Sequence, residues 1–229
     1  MPDQTAPDTA PDMAPETALD TATDCTTIAK CLFDAGYRSI IRYYSRSTWK
    51  RLTPDEALTL CAAGLSLVAV YQNRQDRKAD FSRKKGLRSG RHAIEYASEV
   101  IFQPAGSAIY FAVDFDASDG DIADAVGPYF AGVKEAFAAD DDTYRIGVYG
   151  SGKVCRAVLA SGTARFAWLA AATGWAGYDA FKASNDWHLL QHQETSVCGI
   201  EIDPDTVNGD HGAFRLHPAE LGPAIPPSG

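Results

Sequence analysis

Strand-patterned and helix-patterned segments alternate through most of this chain, and that alternation most limits its fold. Apolar, β-branched or aromatic runs read as strands at 38–44 (RSIIRYY), 65–72 (LSLVAVYQ), 108–113, 145–149 (RIGVY), 166–171 (FAWLAA), 187–193 (WHLLQHQ) and 199–203 (GIEID), after a short first strand ending at Asp24. Helical patterns fall between them at 27–35, 53–63, 90–102, 122–138 and 152–159. The second is the most clearly marked: Thr53 caps it, Pro54 takes its first position and Glu56 stands three after the cap. Strands joined by helical or looped crossovers pair in parallel. Eight of them close into an α/β (β/α)8 barrel of the TIM type with no free edge. The 195 residues from 23 to 217 are few for that fold, so the last crossovers must be abbreviated, and the Gly- and Ala-rich stretch 172–184 fits a short one. An open doubly wound sheet is the alternative, but no GxGxxG or P-loop follows any strand to support a nucleotide site.

The flanks differ in kind. Residues 1–22 (…APDTAPDMAPETALDTA) are rich in Ala, Pro, Thr and acid, a composition too poor in apolar area to order itself. Residues 218–229 read similarly. The expected organisation is therefore tail, barrel, tail, with the first tail a candidate link to a fusion partner or a secretion apparatus. No run approaches the roughly 18 apolar residues of a membrane span. No basic and apolar signal pattern opens the sequence either, which leaves its location open.

The formal net charge of −9 argues against a nucleic-acid partner. One basic run, 74–91 (RQDRKADFSRKKGLRSGR), stands out and reads as a solvated loop and helix start, able to meet an anionic polymer locally. Cys25, Cys31, Cys61, Cys155 and Cys198 show no CxxC spacing. Buried free thiols are the default, with a Cys25–Cys31 disulfide as the alternative. His188 and His192 lie four apart and are expected to point outward.

Chemistry concentrates where the strands end. The stretch AIYFAVDFDASD is an apolar strand ending in two carboxylates one residue apart, and strand alternation aims Asp114 and Asp116 at the same side. Paired acids repel, and such pairs carry glycoside hydrolysis. A helix cap formed from Asp116, Ser118 or Asp119 is the structural alternative. The other strand ends supply Asp24, Arg42, Tyr44, Gln72, Tyr149, Trp168, Gln191 and Asp203. Acids to move protons, aromatics to stack on pyranose faces and amides to fix hydroxyls make a sugar site. It needs no cofactor and no metal; a divalent cation held by Asp24, Asp114, Asp116 and Asp203 is a weaker reading. Asp24 as an N-cap, Asp203 as a turn former and Arg42 as a structural counter-charge are the plainer alternatives.

The motifs YFAVDFD and GIEIDPD, with AGYRSIIRYY, RIGVYGSG, FAWLAAA and LLQHQ, resemble the Rv2525c-like (DUF1906) glycoside-hydrolase-like domains, which are akin to the family 25 lysozymes. The resemblance implies a TIM-like barrel that cuts the β-1,4 bond after N-acetylmuramic acid in peptidoglycan. It implies that Asp114 steadies the substrate's acetamido group and that Asp116 is the general acid. Asp24 and Asp203 would be supporting acids, Tyr149 and Trp168 sugar-facing aromatics, and Gln191 a binding amide. Where the lysozymes carry Glu, this chain carries Asp116. One methylene fewer withdraws the carboxyl by roughly 1 Å, a displacement that can lower a rate about a hundredfold. A retaining-type hydrolase and a non-catalytic cell-wall-binding barrel are thus the two expectations.

Overall fold

The computed structural model describes residues 17–216. Its elements run β1 (Thr17–Asp20), α1 (Ala29–Asp34), β2 (Ser39–Tyr44), α2 (Pro54–Ala62), β3 (Ser66–Tyr71), α3 (Arg83–Glu95), β4 (Ala108–Ala112), α4 (Asp119–Asp121), α5 (Gly127–Ala138), β5 (Arg145–Gly150), α6 (Gly152–Ala160), β6 (Phe166–Leu169), α7 (Tyr178–Ser184), β7 (Leu189–Gln191), β8 (Thr195–Val197) and β9 (Ile200–Val207). Strands β1 to β7 pair in parallel and in chain order, and β9 closes the barrel between β7 and β1. The expected α/β barrel is therefore present, as is the helical cover.

Two expectations need correction. The last barrel strand is antiparallel to both its neighbours, with Asp20 opposite Asp203 and Gln191 opposite Asp205. It descends from the mouth as the second arm of a β8–β9 hairpin. Cys198 and Gly199, both at positive φ (53° and 81°), form the two-residue turn that this handedness of hairpin requires. The first strand is Thr17–Asp20, not a strand ending at Asp24. It lies inside the stretch read as a tail; residues 1–16 and 217–229 are outside the described part.

Alternation divides each strand between two cores. Ala18, Ile41, Val68, Val70, Tyr110, Ala112, Phe166, Trp168 and Leu189 fill the lumen. Leu19, Ile40, Leu67, Ala69, Ile109, Phe111, Val148 and Leu169 face the helices. Helices α3 and α5 meet through Gly86 and Gly132, where a Cβ would come within 1.8 Å of the Tyr129 carbonyl and 2.1 Å of the Arg83 carbonyl. Residues 208–214 cross the floor of the barrel. There Ala108 N donates to Gly212 O (2.8 Å), Leu67 N to Phe214 O (2.7 Å) and the Tyr110 hydroxyl to His211 O (2.9 Å).

Cys31 and Cys198 form a disulfide that ties the hairpin turn to α1; Cys25, Cys61 and Cys155 are free and buried. The alternative Cys25–Cys31 pairing is thereby replaced. The bond joins two residues 167 apart in sequence, a link that spacing cannot reveal. Among the described residues no helix is long and apolar enough to cross a membrane.

Candidate active site

The mouth of the barrel holds a cavity of about 450 Å³. Its walls include Asp20, Tyr43, Gln72, Asp114, Tyr149, Trp168, Gln191 and Asp203. Each enters for the same local reason: it continues the lumen-facing parity of its strand beyond the apolar positions, where the backbone runs out towards water.

The Gln191 amide organises one side. Its Nε2 donates to Asp20 Oδ2 (2.7 Å) and Asp203 Oδ2 (3.3 Å). Its Oε1 accepts from the Tyr149 hydroxyl (3.0 Å) and the Ala171 N–H (3.1 Å). The Tyr43 hydroxyl adds a second donor to Asp20 at 3.1 Å. Asp20 is 3 % exposed. Burial first, and then the Asp203 carboxylate, push its carboxyl up to about 7. Asp203 is raised as well, by burial and by Glu194.

Asp114 stands on the other side. It is raised by burial, against the opposing pull of a hydrogen bond from Gln72 Nε2 (3.1 Å) and the Lys50 ammonium. Lys50 donates to Gln72 Oε1 (3.2 Å) and lies 4.5 Å above the Tyr43 ring. Below, the Trp168 indole meets Tyr149 edge-on at 4.5 Å and donates to Asp205 Oδ1 at 2.7 Å. Asp205 is wholly enclosed, its other oxygen has no hydrogen-bond partner, and burial raises its carboxyl well above the ordinary range.

Of the residues singled out from sequence, Gln72, Asp114, Tyr149, Trp168, Gln191 and Asp203 come together here. Four do not. Asp24 is exposed and accepts from the Thr26 N–H at 2.8 Å, a local turn bond, and Asp20 holds the place expected of it. Arg42 is fully buried on the helix-facing side of β2. It is paired with Glu56 (Nε–Oε1 2.8 Å, Nη2–Oε2 3.1 Å) and donates to Thr21 O. Glu56 also accepts from the Cys25 N–H at 2.9 Å, so the residue three after the Thr53 cap turns inward instead of completing a capping box. Tyr44 shares that outer face and donates to Gln103 Oε1 at 2.7 Å. Strand parity sends Tyr43, between them, into the lumen.

Asp116 is the fourth. It is exposed, outside the cavity wall, and its Oδ1 accepts from the Ala176 N–H at 2.9 Å. β4 ends at Ala112, so strand alternation no longer governs position 116. Phe115 turns inward against Phe81 (5.6 Å), and Ser118, not an aspartate, caps α4. Asp20, Tyr43 and Asp205 were missed. The hairpin signal was present in TSV-CG-IEI, and it would have reversed the last strand and drawn attention to Asp205. His192 borders the rim of the cavity, and its ring turns outward as expected, sharing a hydrogen bond (2.7 Å) with Oγ1 of Thr206, which has the outward parity of Ile202 on β9. Among the described residues, no group of three or more His, Cys, Asp or Glu side chains is placed to hold a metal ion.

A closed barrel with this mouth defines a glycoside-hydrolase-like domain. The chain belongs to the Rv2525c-like, glycoside hydrolase-like domain family, whose profile matches residues 30–214. It is 33 % identical over 208 residues to YbfG of Bacillus subtilis (strain 168), covering 83 % of this chain and 28 % of that protein. It is 30 % identical to FadG of the same strain over 200 residues, 82 % of this chain and 34 % of that protein. The chain thus spans about a third or less of the curated relatives it matches. Among solved structures, the fold is similar to the Mycobacterium tuberculosis Tat-secreted protein Rv2525c, in complex with L-tartrate. The TM-score is 0.74 at 22 % identity, over 87 % of this chain and 99 % of that one. It is also similar to the catalytic domain of endolysin ply40 from bacteriophage P40 of Listeria monocytogenes, with a TM-score of 0.56 at 9 % identity over 86 % and 94 % of the two chains.

Proposed function

We propose that the barrel mouth binds and hydrolyses a β-linked aminosugar polymer of the peptidoglycan type. The observation that carries this reading is one cavity with two carboxyls in different surroundings. Asp20 is enclosed and held up to about 7; Asp114 faces a cation and an amide. Burial raises both, but only Asp114 has a cation drawing it back down, a contrast that suits Asp20 as proton donor and Asp114 as its anionic partner.

In the retaining route, Asp20 gives its proton to the glycosidic oxygen as the bond to the anomeric carbon breaks. The substrate's acetamido oxygen closes on that carbon while Asp114 accepts its N–H and balances the developing positive charge. Water then attacks the anomeric carbon, its proton passes to the Asp20 carboxylate, and the acetamido group reopens. Trp168 and Tyr149 supply the apolar floor on which a pyranose rests. The proton-donor role that the resemblance implied for Asp116 passes to Asp20, because Asp116 lies outside the cavity wall and is held by Ala176.

That same displacement favours one second reading: a barrel that holds the glycan without cutting it. Muropeptide release from purified cell walls, followed by mass spectrometry beside a pull-down on the insoluble wall, separates the two. The hydrolase reading expects product from the wild type and from Asp116→Asn, and a loss of at least about a hundredfold in Asp20→Asn and Asp114→Asn. Wall binding without product supports the second reading; product unaffected by either cavity substitution removes the site. The endolysin likeness supports a wall substrate. The disulfide and the Tat-secreted relative support action outside the cytoplasm.

A further inference from the structure

Lys50 enters none of the proton transfers written above, yet its ammonium touches the residue that serves Asp114. It lies in the loop joining β2 to α2, at the mouth end of the barrel. Its Nζ donates to Gln72 Oε1 (3.2 Å), and Gln72 Nε2 in turn donates to Asp114 Oδ2 (3.1 Å). Gln72 and Asp114 both line the cavity.

This lysine differs from a solvated one. It is half-buried, and its Nζ sits 4.5 Å from the centroid of the Tyr43 ring, a cation–π seat. Among the described residues Lys30, Lys78 and Lys153 form ion pairs with carboxylates, and Lys50 forms none. Burial lowers it, and the Asp114 charge beyond the amide draws it back up. Keeping a cation partly out of water with no direct counter-ion is unfavourable for the fold. Its position is nonetheless secured. Leu52 N donates to Tyr43 O (3.0 Å), Arg51 forms a parallel bridge to Tyr43, and Arg46 N donates to Asn73 Oδ1 (2.7 Å). Tyr43 lies on β2, which pairs with β3 up to Tyr71, the residue before Gln72.

The amide between the two charges has an acceptor end and a donor end. Turned over, it would set its oxygen against the Asp114 carboxylate. An ammonium carries donors alone, so Lys50 meets Gln72 at Oε1 and leaves Nε2 for Asp114. Burial raises the Asp114 carboxyl; the Gln72 bond and then the Lys50 charge draw it back, against Asp76 on the loop after β3. Asp20 and Tyr149 also feel Asp114 across the cavity, and Asp20 has its own donors in Gln191 and Tyr43.

We propose that Lys50 is a positioning residue for Asp114: seated on the Tyr43 ring, it turns the Gln72 amide so that an N–H faces the carboxylate that has to stay charged. Its consequence for turnover rests on the hydrolytic reading; the contact itself does not.

Carboxyl NMR of protein labelled with 13C-aspartate tests it without any glycan. The Asp114 signal is the one lost in Asp114→Asn, and the Asp20 signal the one lost in Asp20→Asn. In Lys50→Met the Asp114 titration midpoint is expected to move up while that of Asp20 stays in place. Lys50→Arg keeps charge and donors and is expected to hold the Asp114 midpoint near wild type. In a Gln72→Leu background, Lys50→Met is expected to move it less than in wild type, because the amide that carries the effect is gone. An Asp114 midpoint unmoved by Lys50→Met overturns the proposal. So does an equal shift with and without Gln72, or a joint rise of Asp114 and Asp20, which marks a general loosening of the mouth. The pH profile of muropeptide release then reads the consequence. In Lys50→Met its acid limb is expected to move to higher pH and its alkaline limb to stay. A shifted Asp114 titration in a wild-type background that releases no product sustains the role of Lys50 and removes the hydrolytic reading alone.

Discussion

Asp20 and Asp203 stand directly opposite one another on the antiparallel β1–β9 pair, and the Gln191 amide donates to both, at 2.7 and 3.3 Å. Two acids share one amide because the last strand reverses direction and brings Asp203 back to the mouth beside Asp20. The arrangement is strained electrostatically and has a thermodynamic signature.

Asp20 is raised from 3.8 to about 7, by burial first and then by Asp203, and Asp203, Asp114 and Asp205 are shifted the same way. For such groups the folded state binds the proton more tightly than the unfolded one. The stability they contribute is full below about 3.8 and is lost as pH climbs through the folded value. The melting temperature is therefore expected to fall between pH 5 and pH 8. Asp20→Asn is expected to flatten that fall and to melt higher than wild type at pH 8. Calorimetry at the two pH values checks this; an Asp20→Asn melt no higher at pH 8 would refute a buried charge there.

The Arg42–Glu56 pair belongs to the fold and not to the cavity at the barrel mouth. Arg42→Leu leaves Glu56 enclosed without its cation, which costs about 3–5 kcal/mol. The double change Arg42→Leu/Glu56→Leu removes both charges and is expected to recover part of that loss, the remainder reflecting the Thr21 carbonyl and the Cys25 N–H left without their partners. Urea denaturation measures both. Glycan binding by whichever variant folds is expected to match wild type, and weakened binding would return Arg42 to the site.

Thiol counting tests the covalent link. Native protein is expected to react with no thiol reagent, since burial pushes the Cys25 thiol up to about 12 and raises Cys61 and Cys155 as well. Unfolded, it is expected to titrate three thiols, and five after reduction. Reduction or Cys198→Ser is expected to destabilise the fold by about 2–4 kcal/mol.

Much of the barrel was legible because a lumen-facing strand has to be apolar, as in YFAV and LVAV. Parity was harder to place. In RSIIRYY each face mixes polar with apolar or aromatic residues (Arg38, Ile40, Arg42 and Tyr44 on one, Ser39, Ile41 and Tyr43 on the other), so nothing in the run says that Tyr43, not Arg42 or Tyr44, turns inward. TALD was hidden in an Ala- and Thr-rich context, with Ala18 and Leu19 as its sole core contributions. The turn at Cys198–Gly199 is the one mark of the reversal, and the expected last strand stopped at Asp203 before Pro204, although Pro204 and Asp205 lie within β9. Position 116 failed for a different reason: alternation is a property of strands, and β4 had already ended.

Because β9 descends while β1 ascends, Thr17 and the segment past Val207 both meet the outside at the base of the barrel, where residues 208–214 seal it. Both ends of the described chain thus stand on the side remote from the cavity at the mouth. A module wired in this way can be joined to further sequence at its base with the cavity at its mouth left open, and in YbfG and FadG the matched stretch makes up 28 % and 34 % of the whole.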